Sequence, residues 1–166
     1  GKHVTGVQTC ALPISASAGN TLVLSLARQG IASYSYNAYQ SVIRGGHSWL
    51  RIRFSPKKPL NHGDQVHALI ALNQDSLDRH LQELQPGCVA LYNGAKFAPS
   101  YDPPSGVQLC PLPTPDLSPD SIRLPVMQNT VAVGALTQLL GLDFAGLASV
   151  FETTFANKPE EAQTTA

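Results

Sequence analysis

The stretch Tyr39-Gln40-Ser41-Val42-Ile43-Arg44-Gly45-Gly46-His47-Ser48 sets a permanent cation, two adjacent glycines and an imidazole between two apolar segments. Arginine presents a rigid fork of donors matched to phosphate or carboxylate. Paired glycines let the backbone approach a ligand closely and take conformations closed to other residues. The run reads as a loop that meets an anion or a partner chain. A tight turn with a solvated arginine accounts for it equally well, because Arg-Gly-Gly-His alone is a short motif. Other self-sufficient chemistries are missing. There is no Gly-x-Ser-x-Gly elbow, no Walker phosphate loop and no complete Gly-x-Gly-x-x-Gly fingerprint. His62 sits in a loop, His67 heads an apolar strand and His80 lies on a helix, settings where imidazole is mostly structural or solvated. His47 differs through its arginine and glycine neighbours, yet no carboxylate lies near it in sequence. The carboxylates gather on the stretch from Asp75 to Glu83, in proline-rich loops and toward the C-terminus, as solvated faces do. No catalytic and no metal-ligating residue is assigned.

Such a loop needs a scaffold, and the rest of the chain supplies one. Ser17–Gln29 carries Leu22, Val23, Leu26 and Ala27 at helical spacing and stops at Gly30. Ile31–Tyr36 is rich in strand formers, and Ala38–Ile43 reads as a short helix or turn. Trp49–Phe54 alternates as a strand with one wet face does. Ser55–Gly63 is a loop. Val66–Leu72 is apolar nearly throughout, as a strand buried on both faces is. The spacing predicts a helix over Asp75–Gln85, strands over Cys88–Tyr92 and Val107–Cys110, and helices over Thr130–Leu140 and Asp143–Phe155. This alternation predicts an α/β fold: a three-layer, Rossmann-like sheet with helices on both faces. Ligands of such sheets sit beyond the carboxyl ends of the strands, where Tyr36, Asn37, Asn73 and Asn93 fall.

A chain of 166 residues is about one domain. Zero net charge and 13% charged residues give no nucleic-acid-binding or anionic-membrane surface, and no apolar run is long enough to span a bilayer. Cys10, Cys88 and Cys110 are odd in number and isolated, which fits neither a disulfide framework nor a cluster site and points to a reducing, cytoplasmic setting.

The N-terminus stands apart. Val4-Thr5-Gly6-Val7-Gln8-Thr9-Cys10-Ala11-Leu12-Pro13-Ile14 looks like the translation of a sequencing-library adapter, and residues 1–15 are read as an artefactual or disordered segment. A genuine irregular arm is the alternative. On the first account the domain's N-terminal strand is missing, and the fragment then risks an unstable sheet. The domain proper is placed at 16–157, with 158–166 a tail or the start of a linker.

At Tyr39–Ser48 the pattern Tyr-x-Ser-x-Ile-Arg-Gly-Gly-His resembles the gamma subunit or domain of 2-oxoacid:ferredoxin (acceptor) oxidoreductases. Other segments agree in order and spacing: Ser17-Ala18-Gly19-Asn20 with Ala27-Arg28-Gln29-Gly30, Ala68–Gln74, Gln85–Val89 and Asn129–Leu136. The histidine form of the loop is most similar to gamma domains fused ahead of an alpha domain. The resemblance implies a component of an enzyme that oxidatively decarboxylates a 2-oxoacid such as pyruvate or 2-oxoglutarate. Thiamine diphosphate, magnesium and iron–sulfur clusters then belong to partner alpha and beta domains, ferredoxin takes the electrons, and coenzyme A takes the acyl group. This domain binds none of these cofactors alone. Its implied role is to shape the coenzyme A side and the subunit interface through Arg44, Gly45, Gly46, His47, Ser48 and Asn73. One departure stands out: adapter-like sequence replaces the family's opening glycine-rich loop. The alternative reading is a stand-alone Rossmann-like nucleotide-binding or interaction module.

Overall fold

A computed structural model describes residues 7–10, 14–39, 48–112 and 125–155. The strands are β1 (Val7–Cys10), β2 (Ala32–Tyr39), β3 (Ser48–Ser55), β4 (Ala68–Ala71), β5 (Val89–Asn93) and β6 (Gln108–Leu112). The helices are α1 (Ile14–Arg28), α2 (Gln74–His80, extended by a 3-10 turn over Leu81–Glu83), α3 (Pro125–Leu139) and α4 (Phe144–Phe155). The strands form a 6-stranded sheet in the order β2-β3-β1-β4-β5-β6. β1, β4, β5 and β6 run parallel, while β3 is antiparallel to both β1 and β2.

Side-chain alternation sorts the two faces. One face of the sheet offers Leu50, Ile52, Phe54, Ala68, Ile70 and Leu91 to α1, α3 and α4, which bring Leu22, Leu26, Ala132, Val133, Leu136, Leu147 and Phe151. The other offers Leu69, Ala71, Ala90 and Tyr92 to Leu77, Leu81 and Leu84 of the α2 segment. The expected three-layer sheet with helices on both faces is what forms. Both α1 and α3 end on the same device. Gly30 (φ 72) follows α1 and Gly141 (φ 63) follows α3. Ile31 N donates to Leu26 O at 2.9 Å and Gly30 N to Ala27 O at 3.0 Å; Leu142 N donates to Thr137 O at 3.0 Å and Gly141 N to Gln138 O at 3.1 Å. These are Schellman caps, and their left-handed residue favours glycine. Where α3 meets α4, the Phe144 ring lies over Gly134, as expected of a helix glycine that allows close approach. Among the described residues, no helix is long and apolar enough to cross a membrane.

Against the expectation of a missing N-terminal strand, Val7–Cys10 forms one and fills the slot between β3 and β4. The physical reason is that β3 and β4 each present a row of unpaired backbone groups there. A four-residue segment satisfies both rows through main-chain hydrogen bonds, with little demand on side-chain identity. Four residues carry too little periodicity to announce such a strand. A second difference lies in β2, which runs on to Tyr39 where a helix or turn from Ala38 was expected. The β3 partner continues opposite it, so pairing overrides local propensity.

Candidate functional site

Register defines the edge of the sheet where a ligand is expected. Across it run Ala38 of β2, Trp49 of β3, Cys10 of β1, Ala71 of β4, Tyr92 of β5 and Pro111 of β6. This is the carboxyl edge of the parallel strands. It is also a topological switch point, because the chain leaves β1 toward β2 and β3 on one side and returns to β4 on the other.

Arg44, Gly45, Gly46 and His47 lie outside the described residues. The two ends of their segment are placed: Tyr39 and Ser48 are register partners one step beyond Ala38 and Trp49, at the carboxyl edge. Ser48 opens β3, and Asn73 follows β4 on the far side of β1. The structure therefore brings Ser48 and Asn73 to one edge, on opposite flanks of the switch point. Asn73 has a structural task there: its Oδ1 accepts from Ser76 N at 2.8 Å and caps α2.

Asn93 ends β5 at the same edge, buried. Its Oδ1 accepts from Ala95 N at 3.2 Å, and Lys96 Nζ reaches Gln128 Oε1 of α3 at 3.3 Å. An apolar recess of about 10 Å³ under Gln128 is lined by Ile70, Leu91, Tyr92 and Leu112. Tyr36 and Asn37 are not at the rim. The longer β2 places them inside the strand, opposite Arg51 and Leu50.

A feature that no sequence motif marks lies on the face of β2–β3 away from α1. There Arg51 sits 5.2 Å over the Trp49 ring, donates to Gly63 O at 3.1 Å and lies 3.9 Å from Glu83. Tyr36 stacks against Trp49 at 5.5 Å and against His62 at 5.2 Å. Arg53 donates to Asn61 Oδ1 and, with His62, Asp64 and Gln65, lines an open polar cavity of about 490 Å³. The alternation Trp49-x-Arg51-x-Arg53 was the available signal, since period 2 puts all three on one face.

His80 and His67 behave as structural groups. His80 is buried with Nδ1 3.0 Å from Glu83 Oε1. Burial pushes the His67 imidazole below its ordinary value. Cys88 is buried, with its Sγ donating to Val66 O at 3.0 Å. Among the described residues there is no cluster of three or more His, Cys, Asp or Glu.

The family model described as "Pyruvate ferredoxin/flavodoxin oxidoreductase" matches residues 15–164. Solved structures share the fold. A 2-oxoglutarate:ferredoxin oxidoreductase from Magnetococcus marinus, with 2-oxoglutarate, coenzyme A and succinyl-CoA bound, aligns at TM-score 0.82 and 23% identity over 99% of this chain. The chain spans 29% of that protein's chain. The gamma subunit of a keto/oxoacid ferredoxin oxidoreductase from Geobacter sulfurreducens aligns at TM-score 0.74 and 20% identity, over 97% of this chain and 90% of its own. A pyruvate oxidoreductase subunit from Thermotoga maritima gives TM-score 0.76 and 16% identity, over 99% and 91% of the two chains. No curated protein matches the chain.

Proposed function

The chain belongs to the pyruvate ferredoxin/flavodoxin oxidoreductase family, and from that premise we propose that it is the gamma component of a cytoplasmic, thiamine-diphosphate-dependent 2-oxoacid:ferredoxin oxidoreductase. The observation that carries the reading is the family match over residues 15–164. Residues 16–157 form the gamma unit. Thiamine diphosphate, magnesium and iron–sulfur clusters reside in alpha and beta partners, and ferredoxin receives the electrons. Coenzyme A, when bound, supplies the thiol that takes the acyl group.

This chain's part is to shape the coenzyme A side. The segment holding Arg44, Gly45, Gly46 and His47 springs from Tyr39 and Ser48 at the carboxyl edge, which supports a position beside the ligand. Arg44 pairs with a phosphate of coenzyme A, the two glycines let the backbone approach, and His47 and Ser48 orient the loop. Asn73 contributes an amide donor from the other flank of β1. Its oxygen is already committed to the helix cap, so the free donor fits phosphate, which only accepts.

Co-expression with alpha and beta chains of a 2-oxoacid oxidoreductase, followed by native mass measurement, tests the assignment. The expected result is a stoichiometric complex. A chain that stays alone and instead binds a free nucleotide belongs to the stand-alone module reading. In the assembled enzyme, Arg44→Ala is expected to raise the KM for coenzyme A by the equivalent of about 1.5–3 kcal/mol, with kcat retained at saturation. An unchanged KM would move Arg44 to the subunit interface or to solvent.

A further inference from the structure

β2 is the terminal strand of the sheet, and among the described residues nothing pairs with its outer edge. It is eight residues long, Ala32–Tyr39, and contains no proline and no charged residue. Exposed strands are ordinarily blunted by prolines, charges or shortness. The opposite edge follows that rule: β6 is five residues long and includes Pro111. Among the described residues β2 is thus an unguarded edge, while the opposite edge is guarded.

Its sequence is also close to a palindrome about Ser35: Ala32-Ser33-Tyr34-Ser35-Tyr36-Asn37-Ala38. Laid antiparallel on an identical strand with Ser35 at the centre, Tyr34 falls opposite Tyr36, Ser33 opposite Asn37 and Ala32 opposite Ala38. Like meets like in size and polarity at every step. Tyr34 and Tyr36 lie on the face opposite the helical layer of α1 and are 38% and 42% exposed, so their rings are open to cross-strand contact. Aromatic pairs facing one another across antiparallel strands are favourable. Ser35 and Asn37 stay exposed on the helical side, so α1 leaves the outer edge there uncovered.

Charge is equally permissive. Arg53 stands opposite Tyr34 and Arg51 opposite Tyr36, one strand inward. A twofold through Ser35 therefore holds the guanidinium of each copy three strand spacings, roughly 14 Å, from its counterpart. No like charges are brought face to face.

We infer that the β2 edge is a self-association surface, on which a second copy of this chain adds its own β2 antiparallel with Ser35 on the twofold axis. The contact is isologous and joins two sheets into one. It uses a different surface from the carboxyl edge and does not depend on the coenzyme A reading.

Sedimentation of the full chain across a concentration series tests it. The expected result is a monomer–dimer equilibrium. S35K sets two ammonium groups directly opposite each other and is expected to leave a monomer with an unchanged circular dichroism spectrum. S35C provides the register test. Directly opposed residues have Cα atoms about 4.5–5.5 Å apart, within disulfide range. S35C is expected to form an interchain bond, mapped by peptide mass, on mild oxidation. S33C, whose twin lies about 14 Å away in this register, is not. Should S35K disturb folding, the cysteine pair decides. A wild-type chain monomeric up to its solubility limit overturns the proposal. So does a dimer untouched by S35K in which S35C fails to cross-link, and so does an S35K defect confined to binding of the alpha and beta chains.

Discussion

Asn73 stands where a parallel strand ends and a helix begins, and the proposed function gives it two tasks on two atoms. The oxygen caps α2 through Ser76 N at 2.8 Å. The nitrogen is what the functional reading requires. The tasks separate by substitution. Asn73→Ala loses the cap and is expected to lower the unfolding free energy by about 0.5–2 kcal/mol in urea titration. Asn73→Asp keeps an acceptor for Ser76 N, so stability is expected to stay near wild type. Loss of the donor beside a phosphate is expected to raise the KM for coenzyme A in the assembled enzyme. Equal KM values for the wild type and Asn73→Asp would leave Asn73 as a cap alone. Asp78, together with Gln74, ties the α2 segment to the loop before Tyr101. Burial pushes its carboxyl up, but hydrogen bonds from Ser100 N, Gln74 and Ser100 Oγ outweigh this and hold it below the usual carboxylate value. The folded pKa lies below the unfolded one. Its contribution to stability is therefore complete above the ordinary carboxylate range and is lost as the pH falls through the folded value. The stability gap between wild type and Asp78→Asn is expected to narrow on acidification below about pH 4. A gap that widened would reverse the sign of the shift.

At the scale of elements, β4 is the hinge between the two layers. Leu69 faces α2 and Ile70 faces the α1, α3 and α4 layer, and each is at most 1% exposed. Leu69→Ala and Ile70→Ala are each expected to cost about 2–5 kcal/mol. The difference between them is local: amide exchange should accelerate first over Gln74–Glu83 for Leu69→Ala, and over α1 and α3 for Ile70→Ala. Identical exchange patterns would mean that the layers do not open separately. The sequence pattern placed most of these elements. Val66–Leu72 reads as a doubly buried strand because both layers demand apolar side chains. The alternation in β3 survives because Leu50, Ile52 and Phe54 face three helices. The helical pattern of α3 starts only at Thr130. The structural start places Pro125 at the first helical position, where a missing N–H costs nothing.

For the whole molecule, the middle of the sheet is the test of integrity. β4 is flanked by β1 and β5 and covered on both faces. Its amides are expected to exchange only through global unfolding, and fast exchange over Ala68–Ala71 would mean a chain without a stable sheet. That expectation depends on β1, the element least visible in the sequence. The sequence alone determined the layer order, the two-faced burial of β4, the helix stop at Gly30, and, through the family resemblance, the pairing of an Arg-Gly-Gly-His run with the domain type. These are local signals, written in periodicity and in residues with restricted or permissive backbones. Only the tertiary structure decided that Val7–Cys10 closes the sheet, that β2 continues to Tyr39, and that Arg51, Trp49, Tyr36 and His62 gather on one face. Strand pairing and cross-strand stacking are contacts between segments far apart in the chain. Their energy belongs to the partner as much as to the segment, and no local pattern records it.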